Sequence, residues 1–437
     1  MTLKTLQYLK DSLIKILIYP TRDKYAYKVS KNDYLELLIV LRNVLSLNYI
    51  LGFFLYQNLS TDYTDNMSDS KVYFTDMHTT LNDSLLNKLK RVIIAAGITD
   101  IDMEKKFVAI KMHFGEYGNL AFLRPNYAKV VADIVTEQGG IPFLTDCSTL
   151  YVGKRKNAVE HLDTANLNGF NPMTAGCQII MGDGLKGTDD VELPVENGEY
   201  IKTAKIGRTI ADADIIITLN HFKCHELTGF GGALKNLGMG CASRRGKMEL
   251  HTSGKPTINT ENCRGCMKCT TVCAQNAITI TSKKAKMDLN KCVGCGRCIG
   301  VCPFDAITAQ FDETMNIIDY KIVEYSKAII SGKPNFHISI MADISPYCDC
   351  HAENDLQIIP NVGMLASKDP VALDKACVDL AQKQPMIEGS RLYNNCNGKK
   401  PDDIFRCTNP GTDCNATFEH AERMKMGKGK YELIEVA

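Results

Sequence analysis

FVAIKMHFGEYGN, residues 107–119, and YAKVVADIVTEQGGIPFL, residues 127–144, together decide the fold class. Phe107 to Met112 is a short β-rich run, and His113 to Asn119 is a polar loop. Tyr127 to Gln138 spaces its apolar residues as a helix does until Gly139 and Gly140 stop it, and Ile141 to Leu144 reads as a second strand. Strand, loop, helix and strand in so short a span predict two parallel strands joined by a crossover helix.

The alternation continues outward. Ile201 to Ala213 reads as a helix, Ile215 to Leu219 as a buried strand and Phe336 to Ile344 as another. Asp369 suits an N-cap, Pro370 the first helical position, and Val371 to Gln382 a helix. The expected fold is α/β: a mainly parallel sheet with helices on both faces. Polar residues follow the strands, with His113 after the first, Asp146 and Cys147 after the second, His221 and His225 after Ile215–Leu219, and Cys348 after the last. Open parallel sheets bind ligands beyond the carboxyl ends of their strands, so these side chains are expected to share one cleft.

The chain has 437 residues, enough for two or three domains, and 45% apolar content supplies a core for each. A net charge of +1 leaves no nucleic-acid footprint. The expected partners are a small-molecule substrate or a protein. Eighteen cysteines with no signal peptide, eight of them in one compact pattern, point to a reducing cytoplasm rather than to disulfides. Leu35 to Tyr56 is nearly all aliphatic and aromatic apart from Glu36, Arg42, Asn43, Ser46 and Asn48. Two readings stay open for it, a membrane anchor and an amphipathic or disordered extension over 1–66. Regular βα patterning starts only after Met67.

The eight cysteines lie in CRGCMKCTTVCA from Cys263 and CVGCGRCIGVCP from Cys292, which repeat 29 residues apart. The repeat extends to Ala277-Ile278-Thr279 and Ala306-Ile307-Thr308. Thiolates suit iron, and two-residue gaps let three cysteines of one loop wrap a cubane, whose fourth ligand comes from elsewhere. Over 257–311 the chain resembles bacterial-type two-cluster ferredoxins, in which the last cysteine of each run ligates the other cluster. The resemblance implies one [4Fe-4S] cluster on Cys263, Cys266, Cys269 and Cys302 and a second on Cys292, Cys295, Cys298 and Cys273. Ala274 departs from it, standing where proline is usual. Gly265, Gly294 and Gly296 let backbone amides point at sulfur. Zinc held by paired Cys-x-x-Cys is the alternative. The expected organisation is thus an extension (1–66), an α/β domain in two parts (67–256 and 312–437), and an inserted α+β two-cluster domain (257–311). A chain starting at Met67 is expected to stay soluble and to bind both clusters.

A second candidate site lies in NHFKCHELTGFGGALKNLGMGCASRRGKMELH, from Asn220 to His251. Gly229, Gly231 and Gly232 permit close backbone approach to an anionic group, and Lys223, Lys235, Arg244 and Arg245 add positive charge. A plain glycine turn flanked by solvated basic residues is the alternative. From about Met67 onward the chain resembles the iron–sulfur branch of the family called domain of unknown function 362. The resemblance rests on HFGE at His113, LTGFGGALKN at Leu227, PYCDCH at Pro346, SKDPVALD at Ser367 and the closing YELIEV. The spacing of His225, Gly229, Gly232, Lys235 and His251 is also similar to the amino-terminal domain of nickel-pincer lactate racemases. That likeness implies Lys235 as cofactor anchor, His251 as metal ligand and His225 as acid or base, with His161 as a second. No equivalent of the racemases' substrate-binding arginine is evident. Cys348, Cys350 and His351 form a further metal candidate. Cys396, Cys407 and Cys414 read as structural, and Asp369 and Asp374 as capping and first-turn charge.

Three functions follow. The first is an oxidoreductase in which two [4Fe-4S] clusters pass electrons to a substrate or cofactor held by His113, His225, Lys235, His251 and Cys348. The second is a non-catalytic electron carrier or binding protein docking a redox partner. The third is pincer-type proton or hydride transfer, with a further metal or an anionic cofactor in the α/β domain.

Overall fold

Eight strands make the central sheet: β1 (Ser70–Asp76), β2 (Phe107–Lys111), β3 (Ile141–Thr145), β4 (Gln178–Ile179), β5 (Ile215–His221), β6 (Asn335–Met341), β7 (Gly363–Ser367) and β8 (Tyr431–Glu435). The computed structural model describes residues 70–150, 153–251, 255–309, 315–427 and 429–437; the extension 1–66, the Leu35–Tyr56 stretch and Met67 lie outside them. Across the sheet the order is β8-β1-β7-β6-β5-β2-β3-β4. β7 runs antiparallel to both its neighbours, and the other five pairings are parallel. The α/β expectation holds, with one reversed strand.

β5 shows why both faces are covered. All seven of its residues, IIITLNH, are buried. Ile215, Ile217 and Leu219 point into one core and Ile216 into the other, as the two-residue period of a strand requires. Helices α1 (Leu85–Ala95), α2 (Pro125–Glu137) and α3 (Ala158–Leu167) pack on the first face. The second face carries α4 (Ala233–Gly238), α6 (Met315–Ile330) and α7 (Pro370–Lys383), with α5 (Arg244–His251) beside them. The α7 start is as expected: Asp369 accepts from the amides of Val371 and Ala372 at 2.8 and 3.1 Å, and Pro370 opens the helix.

Ile201 to Ala213 is not one helix. Thr203–Gly207 is a strand paired with Asp190–Pro194, and only Arg208–Asp212 is helical. Ala204 and Ile206 are buried while Thr203 and Lys205 are only partly so, which is the alternation of a strand. The apolar positions fit both periods, and pairing with a neighbouring segment selects the strand.

Chain direction fixes the site. From β2 the chain proceeds through β3 to β4 on one side; it then returns to place β5 on the other side of β2 and β6 beyond it. The reversal lies between β2 and β5, where open α/β sheets hold their ligands.

The cysteine-rich segment forms two small antiparallel pairs, Pro256–Ile258 with Ile307–Ala309 and Ile278–Thr281 with Lys284–Met287. Its backbone repeats with the sequence: φ is +68° at Gly265 and Gly294, +66° at Met267 and Gly296, and +48° at Asn276 and Asp305. Leu150 and Met248 of the α/β part enter its core beside Ile278, Ala285, Ile299 and Ile307. Among the described residues, no helix is long and apolar enough to cross a membrane.

Candidate active site and cysteine centres

A cleft of about 620 Å³ opens at the carboxyl ends of β2, β3 and β5. His113, Asp146, Cys147, His221, Lys235, Gly231, Gly232 and Cys348, all singled out from sequence, line it, together with Lys111, Arg155, Lys223 and Lys247. Lys111, the last residue of β2, pairs with Asp146 at 3.0 Å and donates to Asn236 Oδ1 at 2.7 Å. Burial pushes the Asp146 carboxyl up, but Lys111 and His161 outweigh it and hold the group well below the usual carboxylate range.

Asp349 is the hub on the other wall. It is fully buried and meets Lys223 at 2.8 Å, His221 at 3.2 Å and His113 at 3.5 Å. Burial alone would raise its carboxyl; the basic groups around it, with the Lys223 ammonium in direct contact, hold it well below its ordinary value. His113 is pushed the other way, well below its usual range, because burial outweighs the attraction of Asp349. Arg155, fully buried, donates to His113 Nε2 at 2.7 Å and pairs with Glu116 at 3.0 Å. His113 is thus held at both ring nitrogens, by Arg155 at Nε2 and by the Gly115 amide at Nδ1, 3.0 Å away.

His225 lies behind the cleft, against Cys348 and Cys350. Its Nδ1 accepts from the amides of Leu227 and Thr228 at 3.1 and 3.3 Å, so the neutral ring carries its proton on Nε2, which has no hydrogen-bond partner among the described residues. The ligand atoms of His225, Cys348 and Cys350 lie within 4.8 Å of one another, as do those of Glu226, Cys350 and His351. Cysteine and histidine groups here can thus hold a metal. Within the first group the tautomer makes Nε2 a proton donor rather than a ligand. Lys235 Nζ stands 3.9 Å from Cys348 Sγ, and burial pushes the Cys348 thiol up to about 12. His251 is also buried, and burial, with Lys235 and His225 adding to it, lowers its imidazole to about 3.

The glycine-rich turn divides. Gly231 leaves room for Lys223 and Lys235 to run side by side. Gly229 adopts φ +75° and faces Cys414 and Thr412, outside the cleft lining. A Cβ on Gly232 would overlap the Asp374 carboxylate, which accepts from the amides of Ala233 and Leu234 at 2.7 and 2.9 Å. The turn of α4 offered by sequence as an anion cradle is thus capped from α7, and Asp374 caps α4 rather than serving its own first turn. Burial raises the Asp374 carboxyl to about 7. With the folded pKa above the unfolded one, stability from this group is complete below about pH 4 and is lost as pH rises through about 7. Asp374→Asn is expected to flatten that part of the stability profile, measured by thermal unfolding from pH 4 to 8.

Cys396 and Cys407 lie within disulfide reach, Cα atoms 6.4 Å apart, and neither lines the cleft. Arg245 pairs with Asp190 and Glu192. Arg244 turns the opposite way, to the cysteine loops.

Those loops wall two cavities. One is lined by Cys263, Cys266, Cys269 and Cys302, the other by Cys273, Cys292, Cys295 and Cys298. Each cavity combines three cysteines of one run with the last of the other. Ala277 N donates to Cys273 Sγ and Ala306 N to Cys302 Sγ, both at 3.3 Å, and Ala285 N donates to Cys263 Sγ at 3.2 Å. Burial and the neighbouring sulfurs push the Cys298 thiol up to about 12. Four sulfurs and sulfur-directed amides fit a thiolate-bound metal centre.

Helix α5 reaches both places. Lys247 lines the cleft, whereas Arg244 and Met248 pack on the cysteine loop at Gly296.

The family model described as domain of unknown function (DUF362) matches residues 108–379. The chain belongs to the DUF362 family. The match runs from β2 into α7 and so contains the cleft and both cysteine cavities. No curated protein matches this DUF362 chain. Two solved structures are weakly similar: a Thermotoga maritima protein from a structural genomics consortium, 14% identical with a TM-score of 0.38, and the lactate racemase apoprotein of Thermoanaerobacterium thermosaccharolyticum, 10% identical with a TM-score of 0.29. The alignments cover 68% and 63% of this chain and 58% and 52% of those, so the chain spans less than two thirds of either.

Sequence reasoning missed Asp349, Lys111, Arg155 and Lys247. A lysine closing the apolar FVAIK run was a usable signal. Asp349 sits inside the PYCDCH segment, where cysteine and histidine drew the attention.

Proposed function

We propose that this DUF362 protein is an iron–sulfur oxidoreductase that delivers electrons to a small anionic substrate in the strand-end cleft. The observation that carries the reading is the pair of four-cysteine cavities, each combining three sulfurs of one run with the last sulfur of the other, joined to the cleft through α5. Two [4Fe-4S] clusters on those sets, when bound, supply one electron each. Cys263, Cys266, Cys269 and Cys302 would hold one, and Cys273, Cys292, Cys295 and Cys298 the other.

Charge supports the substrate class. Of the five lysine and arginine side chains lining the cleft, Lys111, Arg155 and Lys223 are matched by Asp146, Glu116 and Asp349. Lys235 and Lys247 have no ion-pair partner among the described residues, and Lys247 Nζ donates only to the Ala242 carbonyl at 2.6 Å. Two surplus cations in a sheltered cleft favour a carboxylate or phosphate. His225 Nε2–H lies behind the Cys348 wall of the cleft, and Lys235 Nζ stands 3.9 Å from Cys348 Sγ on the cleft side. The clusters, when bound, would supply the two electrons for reduction of such a substrate, and His225 Nε2–H and the Lys235 ammonium would supply the two protons that balance them. A non-catalytic carrier has no use for the surplus cations.

Anaerobic reconstitution is expected to give about eight irons per chain, as two cubanes require, reducible by dithionite. One zinc per chain with no charge-transfer absorption sinks the proposal. Lys235→Met and Lys247→Met should keep iron content and spectrum. Each should slow reoxidation of the reduced protein by small anionic oxidants about 10–100-fold, the loss of one charge-assisted hydrogen bond. Native Lys235 is expected to be unmodified; an adduct on it together with bound nickel would replace electron delivery by proton or hydride transfer.

A further inference from the structure

Arg244 is among the largest fully buried side chains, and among the described residues it has no carboxylate ion pair. Its Nη1 donates to the Lys186 carbonyl at 2.5 Å and its Nη2 to the Lys156 carbonyl, while Nε has no hydrogen-bond partner. The guanidinium lies across the second cysteine run: a Cβ at Gly300 would overlap it, and one at Gly296 would meet Arg244 Cγ at 2.9 Å. Burial lowers the guanidinium pKa, with Asp183 and the nearby cysteine sulfurs acting against it. Asp183 accepts from the Ser148 amide and hydroxyl at 3.0 and 3.1 Å, and the guanidinium itself lies against the cysteine loop. A buried cation with so little compensation points to an anion, and a four-thiolate iron–sulfur centre is one.

The basic neighbours of the first centre are less buried or are paired: Lys284 is half-buried and donates to the Cys263 carbonyl at 2.9 Å, and Lys156, which donates to the Cys302 carbonyl at 3.5 Å, pairs with Asp305. Gly296 and Gly300 correspond, 29 residues earlier, to Met267 and Thr271, and both of these are exposed. Arg264, Lys268 and Arg297 are exposed as well, so solvent and salt screen them. The cysteines of the two sets do not differ enough in burial to separate them: Cys263 and Cys269 are buried in one, Cys298 in the other, and among the rest only Cys266 is exposed. The backbone repeat is therefore close to symmetric, and Arg244 breaks the symmetry.

We propose that Arg244 makes the centre on Cys273, Cys292, Cys295 and Cys298 the higher-potential one of the two, so that electrons arriving at the exposed Cys263–Cys269 loop collect beside the cleft. The inference rests on the two-cluster reading. Adding an electron makes a centre one unit more negative, and an unscreened cation in contact with it stabilises that state. Because α5 carries Arg244 against the cysteine loop and Lys247, one turn on, along the cleft, the same helix raises the potential of the nearer centre and lines the substrate cleft.

Redox titration of anaerobically reconstituted full-length protein, followed by electron paramagnetic resonance with dithionite as reductant, tests this. Wild type should show two midpoints. Arg244→Gln should lower the upper one and leave the lower in place, and Arg244→Lys should keep both near wild type. Cys266→Ser, which disturbs an exposed ligand of the other centre and leaves Arg244 untouched, should retain only the upper midpoint. Coincident midpoints in wild type, an Arg244→Gln variant that moves both or neither, or a Cys266→Ser variant left with the lower midpoint each overturns the proposal. Wild-type protein without reducible iron is a different outcome, which defeats the two-cluster reading itself.

Discussion

Asp349→Asn is expected to cost about 3–5 kcal/mol of stability at neutral pH, the penalty for leaving a buried cation without its counter-charge. The asparagine keeps the shape and loses the charge, so Lys223, itself almost wholly buried at 2.8 Å from the carboxylate, is stranded in the protein interior. His221 and His113 lose their common partner in the same step. Lys223→Met should remove the stranded charge, so the double variant Asp349→Asn with Lys223→Met is expected to recover most of the loss. Urea unfolding of the three variants beside wild type measures it. Because the folded carboxyl is held well below its unfolded value, its contribution is present above about pH 4 and lost as pH falls further. A single variant destabilised by less than about 1 kcal/mol, in the range of exposed pairs, would show that Asp349 and Lys223 do not form a buried pair.

Local chemistry made much of the fold legible. β5 announces itself as an unbroken apolar run, and α7 carries both its cap and its proline, so each element is specified by its own residues. β7 is different. GMLAS is buried throughout and reads alike whichever way the strand runs, and only its pairing between β1 and β6 reveals the reversal. Thr203–Gly207 failed for a related reason, since a short amphipathic segment satisfies two periods and the hairpin partner decides. The cleft was legible as topology, because strand ends in a parallel sheet converge whatever their separation in sequence. Its electrostatics were not. Asp349 finds Lys223 and His221 more than a hundred residues away, and Asp374 caps a helix other than its own. Arg244 and Arg245 are adjacent and identical in sequence, yet one binds surface carboxylates and the other is buried on a cysteine loop. Charge partners separated by such distances leave no periodic trace.

Cys302→Ser is expected to remove the centre of the first cysteine run, although Cys302 belongs to the second. Its sulfur lines the cavity of Cys263, Cys266 and Cys269, while Cys273 lines that of Cys292, Cys295 and Cys298. The Ala306 amide that serves Cys302 and the Ala277 amide that serves Cys273 hold the two fourth sulfurs in equivalent positions, 29 residues apart. A serine oxygen is a poor substitute for a thiolate on iron, so iron should fall from about eight to about four per chain, one cubane's worth. The residual spectrum carries the discrimination. If the runs exchange ligands, Cys302→Ser resembles Cys266→Ser, and Cys273→Ser resembles Cys292→Ser. If each run kept its own fourth cysteine, the resemblances would swap, with Cys302→Ser matching Cys292→Ser. That swap would contradict the cavity geometry and, with it, the assignment of Arg244 to one centre. The exchange also ties the runs together, because losing either fourth cysteine loosens the small shared core of Ile278, Ala285, Ile299 and Ile307 from both sides. The double variant Cys273→Ser with Cys302→Ser should therefore bind almost no iron, whereas two losses on one centre, as in Cys263→Ser with Cys302→Ser, should still leave about four.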